Sequence, residues 1–359
     1  MTETQILPDV NKSYERLSLY FNDWQELKMK IEDPAYSQVV VIADENTEKY
    51  CLHILFENID RQVKVITIPA GEENKNLLTC TMVYEKMVEK NIDRSSLVVL
   101  LGGGVVCDLG AFCSATYMRG IPFISVPTSL LAQADAAAGG KSGVDVKGLK
   151  NIVGVFGEPE SIYVFDIFLQ TLPLRQVRNG MAEIIKHWLI ADANTFYDNC
   201  HDPAIILVKP GFWVPSSLKT KFSITQKDPK EKNIRKILNF GHTIGHAVET
   251  AGLNTTNSLL HGEAIAIGMI CESYISYRLN LLSEAENFTI RRFLISVFGH
   301  YPKVVHDPQL LIHIMQKDKK NRRGKIMFSL LNGIGNAVYN QEVPDEIIHE
   351  SLYFYKEKW

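Results

Sequence analysis

Continuous apolar runs rich in β-branched residues recur through the first half of the chain and give out in the second. Residues 38–43, 63–68, 96–101, 121–126 and 161–166 each read as a strand, stopped by a polar residue, a proline or a glycine cluster. Between the second and third, residues 76–90 carry the spacing of an amphipathic helix. Runs that are apolar throughout and separated by helices predict a parallel sheet covered on both faces. After Leu172-Pro173 the period changes, and 178–191, 244–251, 263–281 and 310–317 keep a helical spacing. A strand pair is predicted at 325–331 and 335–339, on either side of Asn332-Gly333. The pattern predicts an N-terminal α/β domain with a parallel sheet, residues 1–170, and a mainly α-helical domain, residues 171–359. No internal repeat or low-complexity segment is present.

The length of 359 residues suits about two domains. Hydrophobic residues make up 46% and charged residues 22%, ordinary values that exclude a disordered, collagen-like or disulfide-scaffold chain. Formal net charge is -3, so no nucleic-acid footprint is expected. The longest apolar runs, such as 97–101 and 264–270, fall far short of the roughly 20 residues that cross a bilayer. Met1-Thr2-Glu3-Thr4-Gln5 shows no basic region followed by an apolar one, so no signal peptide is expected. Six cysteines are then expected as reduced thiols. The expectation is a cytoplasmic enzyme, with no membrane and no nucleic-acid partner.

Candidate chemistry begins at Gly102-Gly103-Gly104, which follows an apolar strand. Glycine lets a backbone approach a phosphate and exposes N–H groups to it, although a bare triplet reads equally well as a tight turn. Asp108 follows in the next helix, and Asp44 ends an earlier strand, where a carboxylate can bond ribose hydroxyls. G-x-G-x-x-G is absent, which disfavours an ordinary Rossmann dehydrogenase but leaves a nucleotide in a Rossmann-like sheet crevice. Gly140-Lys141-Ser142-Gly143 contains G-K-S, but Asp135 stands where a Walker A motif needs glycine. A triphosphatase is rejected on that ground. Lys141, Lys147, Lys150 and Asn151 still suit an anionic ligand.

The second half holds a sharper set. His242 and His246 are four apart and share a helical face. His261 precedes Gly262-Glu263 at a helix start, and Glu183, Lys186 and His187 share another face. Imidazoles with a carboxylate are the donors of a catalytic divalent zinc site. Spacing leaves open whether His246 binds metal or substrate. Basic residues Lys219, Lys221, Lys227, Arg235 and Lys236 lie nearby in sequence; Lys219 and Lys227 read as solvated. Arg235, Asn239 and His242 are spaced as one helical stripe, which points to an acidic or phosphorylated substrate.

With these residues in hand, the chain resembles the 3-dehydroquinate synthase family of sugar-phosphate cyclases, from about residue 39 to 335. The carrying segments are Gly71-Glu72-Glu73-Asn74-Lys75, 101–104 through Asp108, 115–120, 126–135, Gly139-Gly140-Lys141, Lys150-Asn151, 180–186, 238–246, 260–264 and Asp318-Lys319-Lys320. The resemblance implies a subunit with NAD in the N-terminal domain and a divalent metal, zinc or cobalt, in the C-terminal one. It implies conversion of 3-deoxy-D-arabino-heptulosonate 7-phosphate to 3-dehydroquinate and phosphate in the shikimate pathway. The implied course is transient oxidation, phosphate elimination, re-reduction, ring opening and aldol closure.

By resemblance the metal ligands are Glu183, His242 and His261. Asp44, Asn46, Glu72 and Lys75 would contact the ribose and adenine side of NAD. Gly103, Gly104 and Asp108 would contact the pyrophosphate and nicotinamide side, with Thr128, Ser129, Lys150, Phe168, Thr171 and Leu172 completing the site. Substrate residues would be Asp135, Lys141, Asn151, Lys186, Lys221, Arg235, Asn239, His246 and one of Lys319 or Lys320. Arg119 matches an arginine that reaches the neighbouring subunit's substrate, which implies a homodimer.

The sequence departs from the family pattern at Cys107, where glycine is usual, at Ser129 for threonine, and at Asp228-Pro229 for Asp-Glu. Three rivals remain open to test. Other sugar-phosphate cyclases use substrates without the carboxylate. Metal-dependent alcohol dehydrogenases lack the Lys and Arg set, and a catalytically dead relative would have lost a ligand.

Overall fold

A computed structural model describes residues 17–137, 139–147, 149–252, 259–305, 307–316 and 325–357. The chain divides into two compact units, 1–176 and 177–359. In the first unit the order is β1 (Ser18–Phe21), α1 (Trp24–Glu32), β2 (Val39–Asp44), α2 (Glu45–Tyr50), α3 (Leu52–Phe56), β3 (Lys64–Ile68), α4 (Leu77–Glu89), β4 (Leu97–Gly102), α5 (Gly104–Thr116), β5 (Phe123–Pro127), β6 (Lys141–Val146), β7 (Leu149–Phe156) and β8 (Ser161–Val164). Six strands form one sheet, ordered β1-β8-β5-β4-β2-β3, with every adjacent pair parallel.

The central strands are apolar throughout because both faces are covered. Val40, Ile42, Val98 and Leu100 pack with Val83, Met87, Val106 and Leu109 on one face. Val39, Val41, Leu97 and Val99 pack with Leu27, Ile31, Leu52 and Leu55 on the other. The chain lays β3 on one side of β2, then returns to place β4 on the other side and continues outward. Direction therefore reverses between β2 and β4. At such a point open α/β sheets leave a ligand crevice beyond the strands' carboxyl ends, framed here by Asp44 and Gly102-Gly103.

Two features were not legible in the pattern. β1 adds a parallel edge strand against β8, and the Gly-Lys segment, in which no strand was read, opens an antiparallel hairpin, β6–β7. That hairpin depends on close backbone approach rather than on apolar alternation. A Cβ at Gly154 would stand 2.4 Å from the Ser142 carbonyl oxygen.

The second unit continues α6 (Leu174–Ala191) and holds α7 (Ala193–Asn199), α8 (Pro203–Val208), α9 (Val214–Lys227), α10 (His242–Gly252), α11 (His261–Arg278), α12 (Glu284–Phe298), α13 (Pro308–Gln316), the antiparallel pair β9 (Met327–Leu331) and β10 (Ala337–Glu342), and α14 (Asp345–Lys356). It is mainly helical, with the strand pair at the expected place. Fourteen of the eighteen residues of α11 are buried, as expected of a helix enclosed on all sides.

Glycines bring neighbours close to α11. A Cβ at Gly262 would stand 2.1 Å from the Asn179 carbonyl oxygen of α6, and one at Gly268 would stand 1.9 Å from the Gly241 carbonyl oxygen at the start of α10. Among the described residues no helix is long and apolar enough to cross a membrane.

Candidate active site: a three-ligand centre and a dinucleotide crevice

Three helices of the second unit each deliver one donor to the same point. Glu183 comes from α6, His242 opens α10 and His261 opens α11. Glu183 Oε1 lies 3.5 Å from His242 Nε2 and 3.6 Å from His261 Nε2. The three donor atoms fall within 4.8 Å of one another. Glu183 is 1% exposed, and its Oε1 has no hydrogen-bond partner although it is buried. A buried orphan oxygen is costly, and a cation shared with the two imidazoles would satisfy it.

The imidazoles are turned to suit that role. His242 Nδ1 lies 3.1 Å from the Phe240 carbonyl and His261 Nδ1 lies 3.4 Å from Glu249 Oε2. Both partners only accept, so each Nδ1 carries a proton and each Nε2 faces Glu183, as a proton donor when the ring is charged and as a lone pair when a metal takes that proton's place. This is the outer arrangement that orients metal-bound histidines. Glu249 was not anticipated, although it stands seven residues after His242, two turns along the same helix.

Electrostatics agree. Burial would push the Glu183 carboxyl up, but the Lys186 ammonium and the His261 and His187 imidazoles hold it below the ordinary carboxylate range. Burial would push His261 down, but Glu183 and Glu249 raise its pKa to about 9. The point where these groups meet favours positive charge, as proton or as metal. His246, Glu249 and His261 form a second, overlapping trio. There Glu249 already accepts from His261 Nδ1, so the Glu183 trio is the better ligand set.

Lys186 pairs with Glu183 Oε2 and is 2% exposed. His246 lies beside the trio, its ring 5.1 Å from that of His242 and 5.8 Å from that of His261. Lys221 and Arg235 are buried, whereas Lys219 and Lys227 are exposed, the solvated placing expected for those two.

The expected helical stripe through Arg235, Asn239 and His242 is interrupted. Arg235 and Asn239 lie on a 3-10 turn, Ile234–Asn239, and Gly241 at φ +79° breaks the chain before α10. Asp228, the retained half of the Asp228-Pro229 pair, builds this turn. Asp228 carboxylate oxygens accept from the amides of Lys232, Asn233 and Arg235 at 2.9, 2.6 and 3.2 Å. Pro229 O accepts from Arg235 Nη1 at 2.8 Å. Asn239 Nδ2 donates to Glu231 Oε1 at 2.7 Å. Lys319 and Lys320 lie outside the described residues.

In the first unit the candidate dinucleotide residues lie at the ends of the strands and in the segments that follow them. Gly103 is the N-cap of α5 and no side chain caps that helix end. A Cβ at Gly103 would stand 3.3 Å from Ser129 Oγ, so glycine leaves room for a phosphate at the positive helix end. The amide of Thr128 bonds Gly102 O at 2.9 Å. Lys75, 4% exposed, pairs with Asp108 at 2.5 Å, and Lys150 lies 3.4 Å from Glu72. Asp44 caps α2 through Thr47 N at 2.8 Å, with Asn46 exposed in that helix's first turn.

Cys107 fits in place of glycine: it is buried, and its thiol donates to Gly102 O at 3.6 Å. Phe168 follows β8 on a 3-10 turn, Asp166–Leu169. Its ring is 1% exposed and packs edge-on against Trp24 and Phe165, which leaves only its backbone to face a ligand. Thr171 is exposed and Leu172 half-buried.

Asp135 lies on a π-helical turn, Ala132–Ala136, and Lys141 opens β6. Asn151 adopts φ +49° and donates its amide to Asp145 Oδ1 at 2.7 Å. Arg119 is exposed at φ +71°, between Met118 and Gly120, both also at positive φ.

Comparison with known proteins gives the family. Models of the 3-dehydroquinate synthase N-terminal and C-terminal regions match residues 65–179 and 180–321. A 3-dehydroquinate synthase of Parabacteroides distasonis is 34% identical, covering 93% of this chain and 97% of its own length. Among solved structures, a 2-epi-5-epi-valiolone synthase of Streptomyces hygroscopicus subsp. jinggangensis, with NAD+ and Zn2+ bound, is 26% identical with TM-score 0.85, covering 97% of this chain and 98% of its own. A 2-deoxy-scyllo-inosose synthase complexed with carbaglucose-6-phosphate, NAD+ and Co2+ is 27% identical with TM-score 0.82, covering 94% and 95%. With both family models matched in sequence order and a curated relative aligned over nearly its full length, the chain belongs to the 3-dehydroquinate synthase family.

Proposed function

We infer that this chain converts 3-deoxy-D-arabino-heptulosonate 7-phosphate to 3-dehydroquinate and phosphate, a carbon-oxygen lyase reaction, with NAD and a divalent metal. The observation that carries the inference is the Glu183, His242 and His261 donor set, assembled in a chain that matches the family along most of its length. When bound, NAD takes up and returns a hydride and the zinc or cobalt ion polarises substrate hydroxyls; both metals suit these donors.

The residues of the chain divide the remaining work. Glu183, His242 and His261 hold the metal. Residues 1–170 bind the dinucleotide, with Gly103 and Gly104 at the pyrophosphate and Asp44, Asn46, Glu72 and Lys75 toward the ribose and adenine. Asp108, Thr128, Ser129, Lys150, Thr171 and Leu172 complete that site, with the backbone of Phe168. Residues 171–359 supply Lys186, Lys221, Arg235, Asn239 and His246 to the substrate, together with Lys319 or Lys320.

Arg235 is 4% exposed, and a planar guanidinium grips a carboxylate or phosphate with two parallel bonds. Buried Lys186 and Lys221 add charge that suits a phosphorylated acid. Asp135, Lys141 and Asn151 are further substrate residues by family resemblance. A cytoplasmic homodimer, with Arg119 reaching the neighbouring subunit's substrate, completes the proposal.

Substrate choice tests it. Phosphate release from the seven-carbon acid phosphate should exceed release from a ketoheptose 7-phosphate or hexose 6-phosphate by more than about 100-fold. A site built around a buried polar partner rejects analogues that leave that partner unpaired. Equal rates would instead favour a cyclase of the kind seen among the solved relatives.

A further inference from the structure

We propose that Glu272 is a positioning residue of the metal centre. From the middle of α11 it fixes the first turn of α10, and with it the His242 ligand. Glu272 is 0% exposed. Its Oε2 accepts from the Gly241 amide at 2.6 Å, and its Oε1 accepts from the amides of Thr243 and Ile244 at 3.0 and 3.1 Å. Amides at the start of a helix have no partner inside it. A side chain at the preceding residue usually supplies one, but that residue is Gly241.

The cap therefore comes from another helix, thirty-one residues along the chain. Its charge also matches the positive helix end. The two ligand helices brace each other: Glu249 of α10 holds the His261 ring of α11, and Glu272 of α11 holds the backbone on both sides of His242.

Position matters here because a zinc–nitrogen bond is about 2.0–2.1 Å long and tolerates only a few tenths of an ångström. Three N–H groups converge on two carboxylate oxygens. An amide in their place offers one oxygen and turns an NH2 group toward an N–H donor. Glu272→Gln thus keeps volume while leaving a buried donor unsatisfied at the turn that carries His242.

The proposal rests on the ligand assignment above, and the experiment separates the two. Zn2+ affinity of metal-stripped protein is measured by chelator competition. The visible spectrum of the cobalt-loaded protein and the thermal melt of the metal-free protein are recorded alongside. The comparison variant is Phe196→Leu, which removes packing against Tyr197 and Phe293 in the same unit. Glu272→Gln should weaken Zn2+ binding at least tenfold, within the range for outer partners of a metal site, and alter the cobalt spectrum. Phe196→Leu should lower the melt while leaving affinity and spectrum unchanged.

Wild-type affinity and spectrum in Glu272→Gln, with only the melt lowered, would overturn the proposal and leave a plain helix cap. Equal weakening in Phe196→Leu would overturn it too. A wild-type protein that binds no metal would overturn the ligand assignment itself. If the glutamine variant does not fold, Glu272→Asp keeps the charge and withdraws the oxygens by one methylene. Unchanged affinity there overturns the proposal, and a tenfold loss supports it.

Discussion

Replacing His261 with alanine should strip the protein of tightly bound metal and abolish turnover while the chain still folds. His261 supplies one of three donors, and its Nε2 lies 3.6 Å from Glu183 Oε1. Losing an outer partner of a metal site costs 10–100-fold in affinity as a typical range, so losing a ligand should cost more than about 100-fold. The side chain is 25% exposed, so its removal leaves no sealed cavity of the kind that destabilises cores. Metal content after dialysis, turnover and the far-ultraviolet circular dichroism spectrum check the three parts. Full metal content with normal turnover would remove His261 from the ligand set. A chain that fails to fold would mean that His261 is needed for the fold itself.

Gly268→Ala should be the most damaging small substitution in the second unit. Its methyl would stand 1.9 Å from the Gly241 carbonyl oxygen and 2.7 Å from the Gly245 amide nitrogen. Both are backbone atoms, so no side-chain rotation relieves the clash and the helices must separate. Overpacking costs typically 1–3 kcal/mol and occasionally more, and a backbone clash belongs at about 3 kcal/mol or above. For a unit of this size that corresponds to a fall in Tm of roughly 6–12 °C. Separation would also displace Gly241, next to His242, so metal affinity should fall with stability. A melt within about 2 °C of wild type would show that the helices part at little cost.

How far the sequence alone reaches is visible in particular residues. The parallel sheet was legible because β2, β4 and β5 are buried on both faces, β2 and β4 with unbroken apolar runs and β5 with one interrupted only by Ser125. Gly102-Gly103-Gly104 and Asp44 were legible as crevice residues because strand ends are marked by sharp changes in residue type. The hairpin β6–β7 was hidden, since its fit depends on glycine approach, which leaves no hydrophobic period. His242 and His246 could be paired by spacing and Glu183 and His261 joined the metal candidates by residue type, whereas the choice of Glu183, His242 and His261 as the ligand set came only through family resemblance.

The stripe through Arg235 failed because helical spacing assumes an unbroken helix, and Gly241 breaks it. Glu249 could have been found two turns along from His242. Glu272 could not, because its partners are backbone amides of another helix.

The most direct test of the account follows phosphate and NADH in one sample. Purified protein is given 3-deoxy-D-arabino-heptulosonate 7-phosphate, zinc or cobalt, and NAD well above the enzyme concentration but well below the substrate. The account predicts phosphate released in large excess over NAD, none without NAD, and NADH never exceeding the enzyme present. No phosphate release, or NADH rising in step with substrate consumed, would contradict it.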